Sequence, residues 1–327
     1  MGFNRLIIVS LLVAFVLTLL LGVVYIEFLK KKMYTQYILE DAPENHAKKA
    51  GTPTTGGVFI VVSVILASLA TLTMNQSLTT SALIVLMTFL FFMLAGLKDD
   101  LGKIKEKQNK GGLTPKNKLF FQIAIALLPA LYMTLTGQTF LSLGHFSFDI
   151  QYLYPFFAIF FMTGVSNAVN LTDGLDGLAS ANTAVAMAAC TVFCAMTGQT
   201  DLAIISAATM GSVIGFLHFN KFPAKVFMGD TGSLALGGLL ATIAVMGKFE
   251  LWILLIGFVF FCETMSVILQ VTSFKLTGKR IFKMSPIHHH FELCGWSENK
   301  IVFVFALVSF IGSGIAVLGY YLIKVHS

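Results

Sequence analysis

The sequence predicts an all-α integral membrane protein of ten transmembrane helices with both termini outside. Three observations lead there. Of its 327 residues, 56% are hydrophobic and only 12% charged, and the mean hydropathy is +0.83; a water-soluble domain of this size is far less apolar. Ten apolar runs of about 20 residues, the length that crosses a bilayer, are separated by short polar loops. The basic residues also fall almost wholly on one side of the alternating topology. No stretch is long enough to fold alone in water, and there is no internal repeat or low-complexity tract, so residues 1–327 read as one polytopic domain.

The runs lie at 6–29, 56–75, 81–98, 117–136, 154–172, 177–197, 202–219, 232–248, 250–272 and 301–323. The first is as long as a full span and lacks a small-residue cleavage site, so it reads as a helix rather than a removed signal. With it counted, the loops after spans one, three, seven and nine hold all 22 basic residues except Arg5, Lys248 and Lys324. Those loops are therefore expected in the cytoplasm. Cys190, Cys194 and Cys262 fall inside spans and Cys294 in a cytoplasmic loop, which excludes a disulfide framework. The longest outer loop, 137–152, alternates polar and apolar residues in GHFSFDIQY and predicts a short hairpin. His145 and Asp149 in it read as solvated loop residues. The net charge of +6 suits the cytoplasmic leaflet and anionic substrates alike; nothing implies nucleic acid.

Carboxylates gather where the predicted topology meets the cytoplasm. Asp99 and Asp100 end span three, Asp173 and Asp176 lie between spans five and six, and Asp230 precedes span eight. Any one of them can be a solvated cap, since a carboxylate at a span end avoids the roughly 2.5–3.5 kcal/mol of a mid-bilayer charge, and Asp176 can N-cap span six. Five at one level need a counter-charge, and hard oxygen ligands of this kind suit Mg²⁺. The even-numbered spans point their N-termini at the same face, an arrangement that favours anions. Their approaches are rich in glycine and hydroxyl residues, as in GTPTTGG and GDTGSLALGG.

Asn167, Asn170 and Asp173 form a polar stripe on span five if it stays helical. A helix–helix hydrogen-bond seam explains Asn167; Asn170 and Asp173 read as site residues. Lys103 follows Asp99 by four residues, so a helical extension puts it beside both aspartates, where it can neutralise them or hold a phosphate. The last cluster is SPIHHHFELCGW, Ser285 to Trp296, in the loop before span ten. Three consecutive histidines cannot face one metal from a regular helix, but imidazoles can donate to phosphate oxygens or move protons. Glu263 is the one clear acidic residue within a span, open to a buried partner or to a site role.

Taken together, HAKKAGTPTTGG, DDLGK, NLTDGLDGLA, FNKFPAKVFMGDTGSLALGG and SPIHHHFELCGW resemble, in order and over essentially the whole chain, the phospho-N-acetylmuramoyl-pentapeptide transferases. These belong to the wider group of polyprenyl-phosphate hexosamine-1-phosphate transferases. DDLGK is shared with the wider group, whereas GTPTTGG and PIHHHFEL followed by GW point to the narrower branch. There are departures: Val304 and Ala306 stand where many members carry an arginine and a tryptophan, and Thr55 where Met is common.

The resemblance implies transfer of phospho-MurNAc-pentapeptide from UDP-MurNAc-pentapeptide to undecaprenyl phosphate, with Mg²⁺ as cofactor, at the cytoplasmic face of the bacterial inner membrane. It implies Asp99, Asp100, Asp230 and His289 as catalytic, with Asp230 the metal ligand and one of Asp99 and Asp100 a general base, the other a partner of the metal or Lys103. A covalent aspartyl intermediate stays open. The implied substrate-binding residues are Lys49, Thr54, Lys103, Lys116, Asn170, Asp173, Gly174, Leu175, Asp176, Asn220, Phe227, His288 and His290, with Phe227 a stacking ring for uridine. A homodimer would be in keeping with the family. Two rivals remain: a related transferase using UDP-GlcNAc, and a secondary transporter of an anionic solute. The second would place its polar site near the bilayer midplane, in broken helices of two repeats.

Overall fold

The computed structural model describes residues 3–32, 34, 51–106, 111–144 and 146–325. Among them, ten helices are long and apolar enough to cross a membrane. They are α1 (Phe3–Lys32), α2 (Gly57–Met74), α3 (Thr80–Glu106), α4 (Pro115–Leu135), α5 (Tyr154–Thr172), α6 (Leu178–Met196), α7 (Thr200–Asn220), α8 (Gly229–Gly247), α10 (Phe258–Thr277) and α12 (Glu298–Val325). Two shorter helices, α9 (Ile253–Ile256) and α11 (Ile287–Leu293), flank α10. The expected hairpin is present as β1 (Phe140–Leu143) against antiparallel β2 (Phe146–Asp149), with Phe140 opposite Asp149.

Helix α8 is the axis of the bundle. Every residue from Thr231 to Gly247 is buried, as its composition of Gly, Ala, Ser and Leu all round would dictate for a helix with no lipid-facing side. Helices α2, α3 and α5 pack directly against it, and small residues set how closely. A side chain at Gly96 of α3 would collide with the Asp230 carbonyl, one at Gly57 of α2 with the backbone of Gly232, and one at Gly237 with the backbone of Ser166 on α5. In lipid, where apolar surface alone does not drive helices together, such backbone approach is the main source of association. Helices α1 and α12 lie outermost and carry large exposed apolar side chains along their length, Leu20 and Phe310 among them.

Three elements depart from the sequence expectation. Helix α3 does not stop with its apolar run at 98 but continues to Glu106, because Leu, Lys and Glu are good helix formers and Asp99 and Lys103 pair across one turn. The ninth span is not one helix over 250–272. The chain turns at Phe249, breaks again at Gly257 and runs as α10 to Thr277, glycine weakening the helix where the break falls. The triple histidine lies on helix α11 rather than in a loop.

At the far end of α8 from Asp230, Lys248 caps the helix in the left-handed conformation, φ 59°. Its ammonium donates to Glu250 Oε1 (3.0 Å), the Tyr154 hydroxyl (2.9 Å) and the Gln138 carbonyl (3.2 Å), and lies over the Phe140 and Tyr154 rings. This cluster pins the hairpin to the bundle. Burial pushes the Glu250 carboxyl above its ordinary pKa and the Lys248 ammonium below, and the ion pair between them opposes both shifts.

Gly96→Val is expected to destabilise the protein by at least the roughly 1–3 kcal/mol typical of overpacking, because the colliding atoms are α8 backbone and cannot swing away. Thermal melting in detergent checks this, with Gly314→Ala, whose Cβ would meet nothing, as the neutral control.

Candidate active site

The ends of α3, α4, α5 and α8 converge on one cluster. Thr114 caps α4 by accepting from the Asn117 N–H (3.3 Å), with Pro115 at the first helical position, a start that proline's fixed φ favours. That start places Lys118 facing inward. Its ammonium reaches Asp230 Oδ2 at 2.7 Å and Asn170 Oδ1 at 3.4 Å. From α3, Lys103 lies 2.6 Å from Asp99 Oδ2 and 2.9 Å from Asp230 Oδ2. Asn170, at the end of α5, donates to Asp230 Oδ1 (2.7 Å) and to Ser233 Oγ (2.8 Å). Two lysines and an amide thus hold Asp230 from three helices.

The two adjacent aspartates do different work. Both oxygens of Asp100 are taken up by the start of α8. Oδ1 accepts from the Asp230 N–H (3.1 Å), and Oδ2 from the Thr231 N–H (2.9 Å) and hydroxyl (2.6 Å). This is a helix cap supplied from another helix, and the carboxylate meets the positive end of the α8 dipole. Asp99 turns the other way. Its Oδ1 accepts from the Leu113 N–H (2.7 Å), while the buried Oδ2 has Lys103 as an ion partner and no hydrogen bond. One oxygen from each of Asp99, Asp100 and Asp230 lies within 4.8 Å of the others.

The segment GTPTTGG lies against the same helix start. The Phe227 N–H donates to the Pro53 carbonyl (2.8 Å), Gly56 N–H to the Phe227 carbonyl (2.9 Å) and Gly57 N–H to the Met228 carbonyl (3.0 Å). Thr55 supports this pairing at φ 71°, a conformation that is costly for a β-branched residue and tends to persist only where its surroundings over-determine it. Thr54 is buried, with its hydroxyl beside Gly229, and Phe227 is half-buried.

A second group of residues borders the cluster. Asp173 ends α5 one turn beyond Asn170, and the loop it opens packs under α11, where Gly174 lies against His288 Nε2. Asp176 does not cap α6: Gly177, at φ 83°, holds the cap position, while Asp176 Oδ2 accepts from the Ala224 N–H (2.9 Å). Leu175 points into a small apolar cluster with Leu178, Val259, Ile301 and Phe305, so only its backbone faces the loop's other side. Asn220 is buried. Its carbonyl oxygen accepts from the Gly177 N–H (3.1 Å) and Ser180 hydroxyl (2.8 Å), and its amide donates to the Val226 carbonyl (3.0 Å). It ties the loops before α6 and α8 together. On α11, His289 Nδ1 pairs with Glu292 Oε2 at 2.6 Å, and His290 Nδ1 accepts from the Lys283 N–H at 3.1 Å.

Of the five aspartates read at one level, Asp99, Asp100 and Asp230 form the compact group, and Asp173 and Asp176 stand in the neighbouring loop. Asn167 makes the helix–helix seam the sequence suggested, a reciprocal amide pair with Gln122 of α4 at 2.9 and 3.2 Å. Lys116 is exposed on the first turn of α4, where residues two apart face different ways; the lysine of that turn in the cluster is Lys118. Its signal was present in the spacing, two residues on and inward if a helix begins at Pro115. Lys49 lies outside the described residues, as does His145.

A bundle of apolar helices whose ends converge on carboxylates and lysines fits a class of membrane-embedded transferases, and residues 82–248 match the family described as glycosyl transferase family 4. Within that class, the chain belongs to the phospho-N-acetylmuramoyl-pentapeptide-transferase family. It is 45% identical over 322 residues to the phospho-N-acetylmuramoyl-pentapeptide-transferases of Bacillus licheniformis and of Bacillus subtilis, covering 98% of this chain and 98% of each relative. It is 46% identical over 322 residues to that of Oceanobacillus iheyensis, covering 96% of this chain and 97% of the relative. The matched segment 82–248 runs from α3 through α8 and carries all three clustered aspartates.

Asp100→Ala is expected to lower stability by roughly 2–4 kcal/mol, because it strands two buried N–H donors at the start of α8. Thermal melting in detergent reads this out. Asp99→Asn, which leaves that cap in place, is expected to melt close to the unaltered protein.

Proposed function

We infer that this protein transfers phospho-MurNAc-pentapeptide from UDP-MurNAc-pentapeptide to undecaprenyl phosphate, releasing UMP and forming the lipid pyrophosphate known as lipid I. The observation that carries this reading is the convergence of Asp99, Asp100 and Asp230 with Lys103 and Lys118 at helix ends. Phosphoryl transfer asks a protein mainly to position two phosphates and to neutralise their charge. A cluster at the ends of spanning helices can meet a lipid phosphate from the bilayer and a nucleotide from water. The lysine distribution supports a cytoplasmic site in a bacterial inner membrane with both termini outside. The polar atoms gather at helix ends, not at mid-helix breaks, which argues against a transporter.

Lys103 and Lys118 each bring donors to the point where Asp99 and Asp230 face one another, so either can follow a phosphate oxygen that enters between them. Asp99 is the aspartate placed to accept a proton from the acceptor phosphate, since Asp100 has both oxygens engaged by α8. Asn170 orients Asp230, and Phe227 offers a ring for the base of the nucleotide. His289 and His290, held by Glu292 and the Lys283 backbone, offer imidazoles to the pyrophosphate or sugar-peptide end. The donor set fits Mg²⁺: one hard carboxylate oxygen from each of Asp99, Asp100 and Asp230 lies close to the other two. Asp230 would hold the ion, which would supply charge neutralisation at the pyrophosphate when bound.

Detergent-purified protein is expected to release UMP from UDP-MurNAc-pentapeptide only when a polyprenyl phosphate and Mg²⁺ are both present. Asp230→Ala should abolish release, and Asp99→Asn should lower kcat by roughly 10²–10⁴-fold. UDP-GlcNAc as parallel donor should give no release. Equal release from it would overturn the donor assignment, and no release from either donor by folded protein would overturn the enzyme reading.

A further inference from the structure

Glu263 sits in the buried stripe of α10, with Val259, Phe260, Ser266 and Gln270. Its side chain is 0% exposed, and its Oε1 lies 3.1 Å from Nδ1 of His288, itself 1% exposed. One hydrogen bond joins the two groups at Nδ1, and Nε2 is turned to the opposite side of the ring. That opposite side is Gly174. A Cβ there would collide with Nε2, so the ring lies directly on the backbone of the loop joining α5 to α6. On the loop's other side, Leu175 is buried against Phe305 and Val259. The loop is held between an imidazole and an apolar cluster.

Gln270, two turns along α10, accepts from the Ile281 and Phe282 N–H groups and donates to the Phe282 carbonyl, each at 2.9 Å, which fixes the return of the chain towards α11. Yet two buried polar atoms of the pair, Glu263 Oε2 and His288 Nε2, have no hydrogen-bond partner. Leaving such atoms unpaired is unfavourable, and two apolar side chains of similar size would fill the space more stably. The pair is therefore poorly explained as a device for stability and well explained as a device for geometry.

We propose that Glu263 is a positioning residue for the donor site: through His288 it sets the seat of the Asp173–Asp176 loop, and with it the seat of the nucleotide half of a UDP-linked donor. The proposal rests on the functional reading above. The arrangement needs only one hydrogen bond to Nδ1, so glutamine, of the same length and able to accept or to donate, should serve nearly as well. The loop lies beside the cluster that would receive the lipid phosphate but is not part of it, so the two substrates should respond differently.

The test is steady-state UMP release with each substrate varied in turn, beside calorimetric titration with UMP alone. Glu263→Ala is expected to raise the KM for UDP-MurNAc-pentapeptide, and the Kd for UMP, about tenfold, as for one lost buried hydrogen bond. The KM for polyprenyl phosphate should stay unchanged, and Glu263→Gln should restore both donor values to within about threefold. Glu263→Leu, which keeps the bulk but makes no hydrogen bond to Nδ1, should produce the same donor-side loss and serves where Glu263→Ala does not fold. A wild-type donor KM and UMP Kd in Glu263→Ala, or in Glu263→Leu where the first does not fold, would overturn the proposal. So would a parallel rise in both KM values, or the same loss in Glu263→Gln as in Glu263→Ala. Absence of UMP release by the unaltered protein would count against the functional reading, while UMP titration would still test the loop.

Discussion

The capture of the α8 N-terminus by Asp100 is the interaction on which the rest of the site depends. Helix α8 begins against α3, and a carboxylate from α3 takes two of its first N–H groups and the Thr231 hydroxyl. Unsatisfied, those groups would be among the most unfavourable in the fold. Satisfying them from another helix fixes the height of α8 against α3, and Gly96 lets the two backbones close to that height. Asp230 is the second residue of α8, so its position follows directly. Asp99, next to Asp100 on α3, is then bound to face it.

That geometry gives adjacent aspartates opposite duties. Successive residues on a helix point about 100° apart, so a carboxylate pair can serve two directions at once: Asp100 towards the start of α8 and Asp99 towards Lys103 and the loop at Leu113. Asp230, left with two lysines and Asn170, gathers charge from α3, α4 and α5. Carboxylates this close repel unless cations sit beside them; Lys103 lies between Asp99 and Asp230, and Lys118 adds a second cation on Asp230. They also supply flexible donors that can follow a phosphate, which a fixed backbone amide cannot.

Much of the architecture was legible in the amino-acid order. Ten spans, the hairpin over 137–152, the pairing of Lys103 with Asp99 and the seam at Asn167 could be read because each rests on a local rule: run length, alternation, or a three- or four-residue offset. The breaks at Phe249 and Gly257 and the extension of α3 to Glu106 were not visible in hydropathy, which registers apolar content and not where a helix stops. Helix α11 was missed because seven residues with three histidines carry no periodic signal. Lys118 was passed over for Lys116 because the facing of a lysine depends on where α4 begins, and that is decided by the cap at Thr114.

By itself, then, the sequence determined that this chain lives in a membrane, which residues carry its charge, and which motifs must gather at one end, because composition and short spacings fix those properties without reference to other helices. The tertiary structure alone decided what each charged group does. Asp100 and Asp99 are indistinguishable as neighbours in DDLGK, and Glu263 is only an acid within a span, until the packing of α8 against α3 and of α11 against α10 supplies their partners. The physical reason is that a carboxylate's role is set by the donors within about 3 Å of it, and here nearly all of those donors come from elsewhere in the chain.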